Sequence, residues 1–269
     1  MNAQTVAPLY QRYLDSSKCV SLSTVNDWME RMMNIVFPTS IEIIFSNEDE
    51  FMTHMKDIEN SLIQILDCSL RKSSLKATDI AELFFEELPI IQSTLDKDIE
   101  AIYLGDPAAR SKEEVIRCYP GIRAIAAYRI AHFFNRLNVP ILPRMITECA
   151  HSQTGIDIHP AAEIDAPFFI DHGTGIVIGA TAKIGPHVKM YQGVTLGGLS
   201  VKKEDANTKR HPTIEEKVII YAGATILGGD TVIGANCTIG GNTFITKSVA
   251  PDTIVYHKAK NREKRESWN

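Results

Sequence analysis

The stretch "DHGTGIVIGATAKIG", residues 171–185, begins with an aspartate and a histidine, two residue types that can bind and move protons. A histidine ring titrates near neutral pH, so His172 is suited to take the proton from a hydroxyl group, which is a poor nucleophile while protonated. A second polar pair, Arg210-His211, ends a charged segment further along the chain. The alternative for His172 is a satisfied polar residue on an outer face. The elements around these residues decide between the two interpretations.

From Gly155 onwards, aliphatic residues recur every six positions, and a small residue usually follows them, as in "IGATAK" and "IGPHVK". Neither an α-helix nor an isolated β-strand has this period. A fixed six-residue period is typical of a parallel β-helix, in which three hexads form one triangular coil and the aliphatic side chains stack inside. Residues 155–250 therefore predict about five coils. The repeated positions, with two slips of phase, are Ile158, Ile164, Ile170, Ile176, Ile178, Ile184, Met190, Leu196, Ile214, Ile220, Ile226, Ile233, Ile239 and Ile245.

One segment interrupts the repeat. Residues 197–212, "GGLSVKKEDANTKRHP", contain no aliphatic step of the period and are rich in charged and small polar residues. A long loop that leaves a compact solenoid is usually functional or disordered. The sequence predicts a protruding loop at 197–212.

The first part of the chain follows a helical pattern instead. Apolar residues such as Ile58, Leu62 and Ile65 recur at helical spacing, and Pro89 predicts a break between two helical runs. We therefore predict an α + β chain: an α-helical domain over residues 1–150, a parallel β-helix over 151–256 and a basic tail over 257–269.

Composition and charge exclude several classes of protein. The net charge of −5 argues against a nucleic-acid-binding protein, because phosphate backbones attract basic surfaces. No apolar run approaches the roughly 20 residues of a membrane span, and the N-terminus does not resemble a signal peptide. The five cysteines are scattered and form no CxxC pair, so we expect neither a disulfide framework nor a cysteine zinc site. We expect a cytoplasmic protein.

The motifs "DIHPAAEI", "DHGTGIVIG", "VTLGG" and "KRHPTI", in this order and after a helical half, resemble those of serine O-acetyltransferases. The resemblance is strong over roughly residues 100–250. It implies a left-handed β-helix and the transfer of acetyl from acetyl-CoA to the hydroxyl of L-serine. The products would be CoA and O-acetyl-L-serine, the precursor of cysteine. A hexapeptide acetyltransferase with another hydroxyl acceptor and a non-catalytic scaffold are the alternatives.

The resemblance also assigns catalytic roles. The family's general base corresponds to His172 and its carboxylate partner to Asp157. These residues are 15 positions apart, close to one coil of 18, so we expect them to meet on adjacent rungs. His211 is expected to orient the substrate or to stabilise charge on the tetrahedral intermediate.

The family's serine-binding residues match Asp106-Pro107 in the helical domain, Asp171, and Arg210-His211 in the loop. Asp171 would bind the amino group of serine, and Arg210 would bind its carboxylate through a two-pronged fork. The alternatives are a helix-end turn at Asp106-Pro107 and a solvated loop charge at Arg210.

Acetyl-CoA would lie between the coils of neighbouring subunits, a position that the resemblance gives to Gly198, Ala222 and Gly241. Each of these could equally be a simple corner residue. We expect no metal. Zinc held by three of the histidines 159, 172, 187 and 211 is the alternative. The nearby arginine and the Asp171-His172 pairing disfavour it.

The resemblance further implies a trimer or a dimer of trimers paired through the helical domains, and inhibition by L-cysteine in the serine site. Two departures from the family stand out. Ala180 occupies a position where many members carry a glutamate, so His211 is expected to lack that support. Members that dock onto O-acetylserine sulfhydrylase often end in isoleucine, whereas this sequence ends in Asn269, so we do not expect that complex.

Overall fold

The computed structural model describes residues 2–15, 20–38, 44–71, 73–199 and 208–257. The predicted basic tail, apart from His257, and residues 200–207 of the predicted loop lie outside these residues. Helices come first in the chain. Their bounds are α1 Ala3–Asp15, α2 Leu22–Val36, α3 Glu48–Ser69, α4 Ala77–Gly105, α5 Lys112–Cys118, α6 Pro120–Arg136 and α7 Leu142–Thr154.

Short strands of two or three residues follow the helices. They are β1 Asp157–Ile158, β2 Glu163–Ile164, β3 Phe168–Ile170, β4 Val177–Ile178, β5 Lys183–Ile184, β6 Val188–Met190, β7 Thr195–Gly197, β8 Thr213–Ile214, β9 Ile219–Ile220, β10 Thr225–Leu227, β11 Val232–Ile233, β12 Thr238–Ile239, β13 Phe244–Ile245 and β14 Ile254–Val255.

These strands form three parallel sheets, and each coil contributes one strand to each sheet in turn. The first sheet has the order β1-β4-β7-β10-β13, the second β2-β5-β8-β11, and the third β3-β6-β9-β12-β14. The arrangement is a left-handed parallel β-helix of about five turns behind a helical region, which confirms the predicted fold class. The predicted aliphatic positions face inward: Ile158, Ile178 and Leu196 pair in successive rungs and are buried.

Three corners join the sheets, and they carry the polar chemistry. The first corner, between the first and second sheets, contains residues 159–162, 179–182, 198–199 with 208–212, and 228–231. The second corner contains 165–167, 185–187, 215–218 and 234–237. The third corner leads back to the first sheet of the next coil and contains 171–176, 191–194, 221–224 and 240–243.

Helix α4 runs without interruption through Pro89, so the predicted break there is wrong. Proline removes one backbone donor, which costs a helix stability. However, Phe84 and Leu88 before it and Ile91 and Leu95 after it are buried in the same core. Burial of this continuous apolar face offsets the lost hydrogen bond.

The helices are fastened to the β-helix by buried polar groups. Asp98 of α4 is fully buried, and its carboxylate forms a two-pronged ion pair with Arg129 of α6, at 2.6 and 2.9 Å. Asp98 Oδ1 also accepts the backbone N–H of Phe168 at 2.8 Å, at the start of β3. Tyr128 of α6 donates its hydroxyl to the carbonyl of Ala162 at 2.7 Å. These bonds fix the end of α4, and therefore the following Asp106, against the solenoid.

Two further observations concern the cysteines and membranes. Cys118, Cys149 and Cys237 have free thiols, whereas Cys68 is disulfide-bonded, which the scattered cysteines did not predict. None of the described helices is long and apolar enough to cross a bilayer.

Candidate active site

Asp171 and His172 lie on the third corner, directly after β3. The Asp171 carboxylate accepts the backbone N–H of His172 at 2.8 Å, and the two side chains approach to 3.8 Å between Oδ1 and Nδ1. His172 adopts a left-handed backbone with φ 55°, and its side chain is 69% exposed. The next residue, Gly173, lies directly against Ile156 of the previous coil, where a Cβ would overlap the isoleucine side chain. The backbone of this corner thus packs against the interior of the solenoid, and the His172 ring lies outside.

The helical domain brings a second carboxylate to the third corner. Asp106 follows α4 and accepts hydrogen bonds from the Tyr119 hydroxyl at 2.5 Å and from the backbone N–H of Ala108 at 2.8 Å. These bonds, with a smaller contribution from the charge of His172, lower the pKa of Asp106. The same bond raises the pKa of Tyr119 to about 12, and the charge of Asp171 contributes to this rise. The charges of Asp106, Asp171 and His172 therefore act on the same small region, and Pro107 continues the exposed turn beside Asp106; their roles in binding and catalysis stay predictions.

The first corner holds the other predicted polar residues. His211 is 8% exposed, and its Nδ1 lies 2.9 Å from the hydroxyl of Thr181 and 3.1 Å from the backbone N of Thr181. Burial, followed by the charges of Arg210, Lys209 and His159, lowers the pKa of His211 to about 4. At neutral pH the ring is therefore uncharged.

The end of the loop is anchored to the same corner. The ammonium of Lys209 donates to the backbone carbonyls of Thr181 at 2.7 Å, His211 at 2.5 Å and Pro212 at 3.2 Å. The backbone N–H of Arg210 donates to the Thr181 hydroxyl at 3.0 Å. Arg210, which is partly buried, is thus held in a fixed backbone position and is not part of a solvated linker.

Asp157 does not pair with His172 in the described subunit. Its carboxylate is bonded to Arg144 of α7 at 3.1 Å, and Arg144 also pairs with Glu148. The first coil is longer than the 18 residues expected, because the rung beside Asp157 carries Val177, 20 positions further on. His172 lies on the third corner, five residues before Val177. The catalytic pairing of Asp157 with His172 stays a prediction.

The histidines of the zinc alternative are dispersed. His159 and His211 lie on the first corner, His172 on the third, and His187 on the second. Among the described residues, the group whose ligand atoms lie within 4.8 Å of one another is Glu148, His151 and Asp157. The Arg144 guanidinium already pairs with both carboxylates of that group, and a cation would have to displace it.

The residues predicted to line acetyl-CoA fall on both edges of the first sheet. Ala222 and Gly241 stack on successive rungs of the third corner, where a Cβ on Gly241 would lie 3.0 Å from the Ala222 carbonyl oxygen. Gly198 lies on the first corner, directly after β7. A ligand that contacts all three must therefore cross the first sheet or lie between two subunits.

Sequence reasoning missed several residues of the two corners. Tyr119 clamps Asp106, and Thr181 binds His211. Tyr191 and Tyr221 stack on successive rungs of the third corner, with ring centroids 5.2 Å apart. The role of Thr181 could not be predicted from the sequence, because Thr181 occupies a small-residue position of the hexad "IGATAK". No signal in the sequence marks Tyr119.

The polar groups thus form two separate halves. The acidic half lies on the third corner and contains Asp106, Asp171 and the exposed His172. The basic half lies on the first corner and contains Arg210 and the buried His211. The first sheet separates the two corners within one subunit.

No protein-family model matches the chain. The chain is 51% identical over 160 residues to the plasmid serine acetyltransferase of Synechococcus elongatus, which corresponds to 58% of this chain and 50% of that relative. The matched part thus spans about half the length of this relative. The chain is also 46% identical over 134 residues to the serine acetyltransferase of Helicobacter pylori, covering 50% of this chain and 76% of the relative.

Solved structures match over nearly the whole chain. Serine acetyltransferase 1 of Entamoeba histolytica in complex with L-cysteine superimposes with a TM-score of 0.78 and 35% identity, covering 93% of this chain and 95% of that one. A serine acetyltransferase in complex with CoA superimposes with a TM-score of 0.55 and 26% identity, covering 86% and 98%.

Proposed function

This chain belongs to the serine acetyltransferase family, and from that premise we propose that it transfers acetyl from acetyl-CoA to the hydroxyl of L-serine. The products are O-acetyl-L-serine and CoA. The observation that carries the proposal is the presence of two halves of a site, one acidic and one basic, on two corners of one solenoid.

The charges of the two halves fit an amino acid. Asp106 and Asp171 offer carboxylates to the ammonium group of serine, while Arg210 offers a guanidinium fork to its carboxylate. A neutral sugar would need neither sign of charge. Tyr119 keeps Asp106 ionised and aimed, because its hydroxyl hydrogen bond favours the charged carboxylate.

A cyclic trimer completes the site. In a ring with three-fold symmetry, each interface joins one surface of a subunit to a different surface of its neighbour. If the third corner of one subunit faces the first corner of the next, each interface contains a full set of acidic and basic groups. Exposed apolar side chains on and beside the first sheet, Val177, Phe244 and Tyr221, support an interface there.

The reaction is a direct transfer. His172 takes the proton from the serine hydroxyl, and the oxygen attacks the thioester carbonyl of acetyl-CoA. The resulting tetrahedral intermediate collapses and releases the CoA thiolate, which takes the proton back from the His172 imidazolium. The wide exposure of the ring gives it freedom to reach both atoms. None of the predicted site residues is a cysteine, so no acyl-enzyme is expected.

Acetyl-CoA lies along the interface in this proposal. Ala222 and Gly241 of one subunit and Gly198 of the next line its pantetheine arm, because small residues allow close approach to the backbone. The complex of a related serine acetyltransferase with CoA supports this use of the fold.

L-Cysteine is proposed to inhibit the enzyme from the serine site. Cysteine carries the same ammonium and carboxylate groups as serine, so Asp106, Asp171 and Arg210 would bind it in the same orientation. The Entamoeba histolytica relative was crystallised with L-cysteine, which supports the proposal.

The test is CoA release from acetyl-CoA with L-serine and with a panel of other hydroxyl acceptors, including a neutral sugar. Serine-dependent release by the wild type that collapses in His172→Ala is the expected result. Release with a sugar but not with serine would reject the serine site and keep the base. If the folded wild-type protein releases no CoA with any of the acceptors, the enzymatic function is rejected.

A further inference from the structure

We propose that Thr181 is a positioning residue that locks His211 in one neutral tautomer, with the proton on Nε2, so that His211 acts as a hydrogen-bond donor and not as a base. This inference rests on the proposed acetyl transfer for its consequence in catalysis. The tautomer itself is independent of that function.

The hydrogen bonds around Thr181 fix the direction of each proton. The Thr181 hydroxyl oxygen accepts the backbone N–H groups of Arg210 at 3.0 Å and His211 at 3.1 Å. A hydroxyl has two acceptor lone pairs and one proton. Because both lone pairs are used, its proton is left for Nδ1 of His211, 2.9 Å away.

The backbone of Thr181 reinforces this direction. Its N–H also points to Nδ1, at 3.1 Å. Nδ1 therefore accepts from two donors and cannot carry a proton without breaking both bonds. In an uncharged imidazole, one nitrogen accepts and the other donates, so the proton of His211 is on Nε2.

Nε2 is available for an external partner. No hydrogen bond within the described part of the chain uses it, and the fully buried unpaired side-chain atoms there are Trp28 Nε1 and Gln192 Oε1. Gly179 makes room for this side of the ring, because a Cβ at Gly179 would overlap Nε2 and Cδ2. The imidazole thus packs closely against Gly179 and is bonded to Thr181 at Nδ1, which leaves the N–H of Nε2 as its one remaining donor.

The surrounding charges keep the ring neutral. Lys209 and Arg210 on the loop and His159 on the neighbouring coil all disfavour a proton on His211, in addition to its burial. A neutral N–H donor that is fixed in place suits the oxygen of the tetrahedral intermediate, where negative charge develops during attack. His172 then remains the one base of the two histidines.

This arrangement also accounts for Ala180. The resemblance predicts that His211 lacks the support of a glutamate at position 180. The ring is nevertheless supported, because Thr181 binds it from the adjacent position. A carboxylate on Nδ1 would require a proton there and would place the acceptor nitrogen outward. The hydroxyl of Thr181 produces the opposite orientation.

The direct test is the protonation of the His211 ring, observed by ¹⁵N NMR on histidine-labelled protein and assigned by its loss in His211→Gln. We expect an unprotonated Nδ1 and a protonated Nε2 from pH 8 down to about 5. A protonated Nδ1 at neutral pH, or titration of this ring near pH 6.5, would overturn the proposal. This readout needs no substrate, so it holds even if acetyl transfer is absent.

Kinetics test the positioning role. Thr181→Val removes the hydroxyl and keeps the shape, and it should lower kcat on the order of 10- to 100-fold with less than about a threefold change in the KM for serine. Thr181→Ser should restore most of the activity and the wild-type NMR pattern. A Val variant with wild-type kcat, or a Ser variant as poor as Val, would contradict the proposal.

The matched control is Thr231→Val. Thr231 is a buried threonine of the first corner, two rungs after Thr181, and its hydroxyl donates to the backbone carbonyl of Leu227 at 2.7 Å and not to a histidine. This variant should keep kcat within about twofold and leave the His211 ring signals unchanged. If it lowered kcat as much as Thr181→Val, the effect would be one of general packing, and the positioning role would be rejected.

Discussion

The first and third corners of the solenoid hold their histidines in opposite ways. His172 on the third corner is 69% exposed at its side chain and contacts one carboxylate at 3.8 Å. His211 on the first corner is 8% exposed and bonded twice to Thr181. The difference fits two tasks. A ring that takes a proton from one substrate and gives it to another needs freedom, whereas a donor to developing charge needs a fixed position.

The largest expected effect comes from the exposed ring of His172. His172→Gln keeps a polar side chain of similar size but cannot act as a base, so kcat/KM for serine should fall on the order of 10²- to 10⁴-fold. His187→Gln on the second corner is the matched control, because that exposed histidine lies outside both halves of the site. We expect the control to keep wild-type rates in the CoA-release assay. Equal losses in the two variants would contradict the role of His172.

The basic half should respond next. Arg210→Lys keeps the positive charge and removes the planar fork, and it should raise the KM for serine on the order of tenfold. Arg210→Met removes both the charge and the fork and should raise the KM for serine on the order of 100-fold, with a smaller effect on the KM for acetyl-CoA. Steady-state kinetics with each substrate varied in turn measure both values. If only the KM for acetyl-CoA rose, Arg210 would bind acetyl-CoA and not serine.

Substitutions of Asp157 test how the exposed ring of His172 is supported. If Asp157 supports the His172 imidazolium in the assembled enzyme, Asp157→Asn should lower kcat on the order of tenfold or more, while Arg144→Met should not. If Asp157 serves only its ion pair with Arg144, which the described subunit contains, the two variants should lose thermal stability together and keep kcat. Melting temperature and kcat, measured on the same preparations, separate the two roles.

The smallest expected effect is on stability against acid. The folded pKa of His211, about 4, is below the ordinary value of 6.5, and burial also lowers the pKa values of His159 and His132. The unfolded chain therefore binds more protons between these pH values, and folding stability falls as the pH drops from about 6.5 towards 4. For His211 the loss is on the order of 3 kcal/mol, since each pKa unit of the shift corresponds to about 1.4 kcal/mol. Denaturant unfolding across this range should be flatter for His211→Gln than for the wild type, and an equally steep profile would contradict the assignment.

The sequence was sufficient to predict the regular part of the molecule. The six-residue period predicted the β-helix and its inward residues because each hexad repeats the same physical requirement, one aliphatic side chain inside and one small residue at the corner. Pro89 was misleading because the cost of one lost hydrogen bond is local, whereas the buried apolar face of α4 extends over both sides of it.

The candidate site was predictable only in part. The motifs indicated Asp106, Asp171 and His172, which the structure brings together on the third corner. They could not show that Asp157 pairs with Arg144, because that contact depends on the length of the first coil and on the position of α7. Thr181 was invisible for a related reason. Its role arises from the return of the loop end at Arg210 and His211 to the first corner, a contact between residues about 30 positions apart.

The most direct test of the account is whether two corners of different subunits form one site. His172→Ala and Arg210→Ala, each carrying its own affinity tag, are co-expressed, and assemblies that contain both tags are isolated. In mixed cyclic trimers, one interface of the three combines an intact third corner with an intact first corner, so we expect about one third of the wild-type activity per trimer. Doubly tagged trimers as inactive as either parent would contradict the account, because each subunit would then need both residues for its own site.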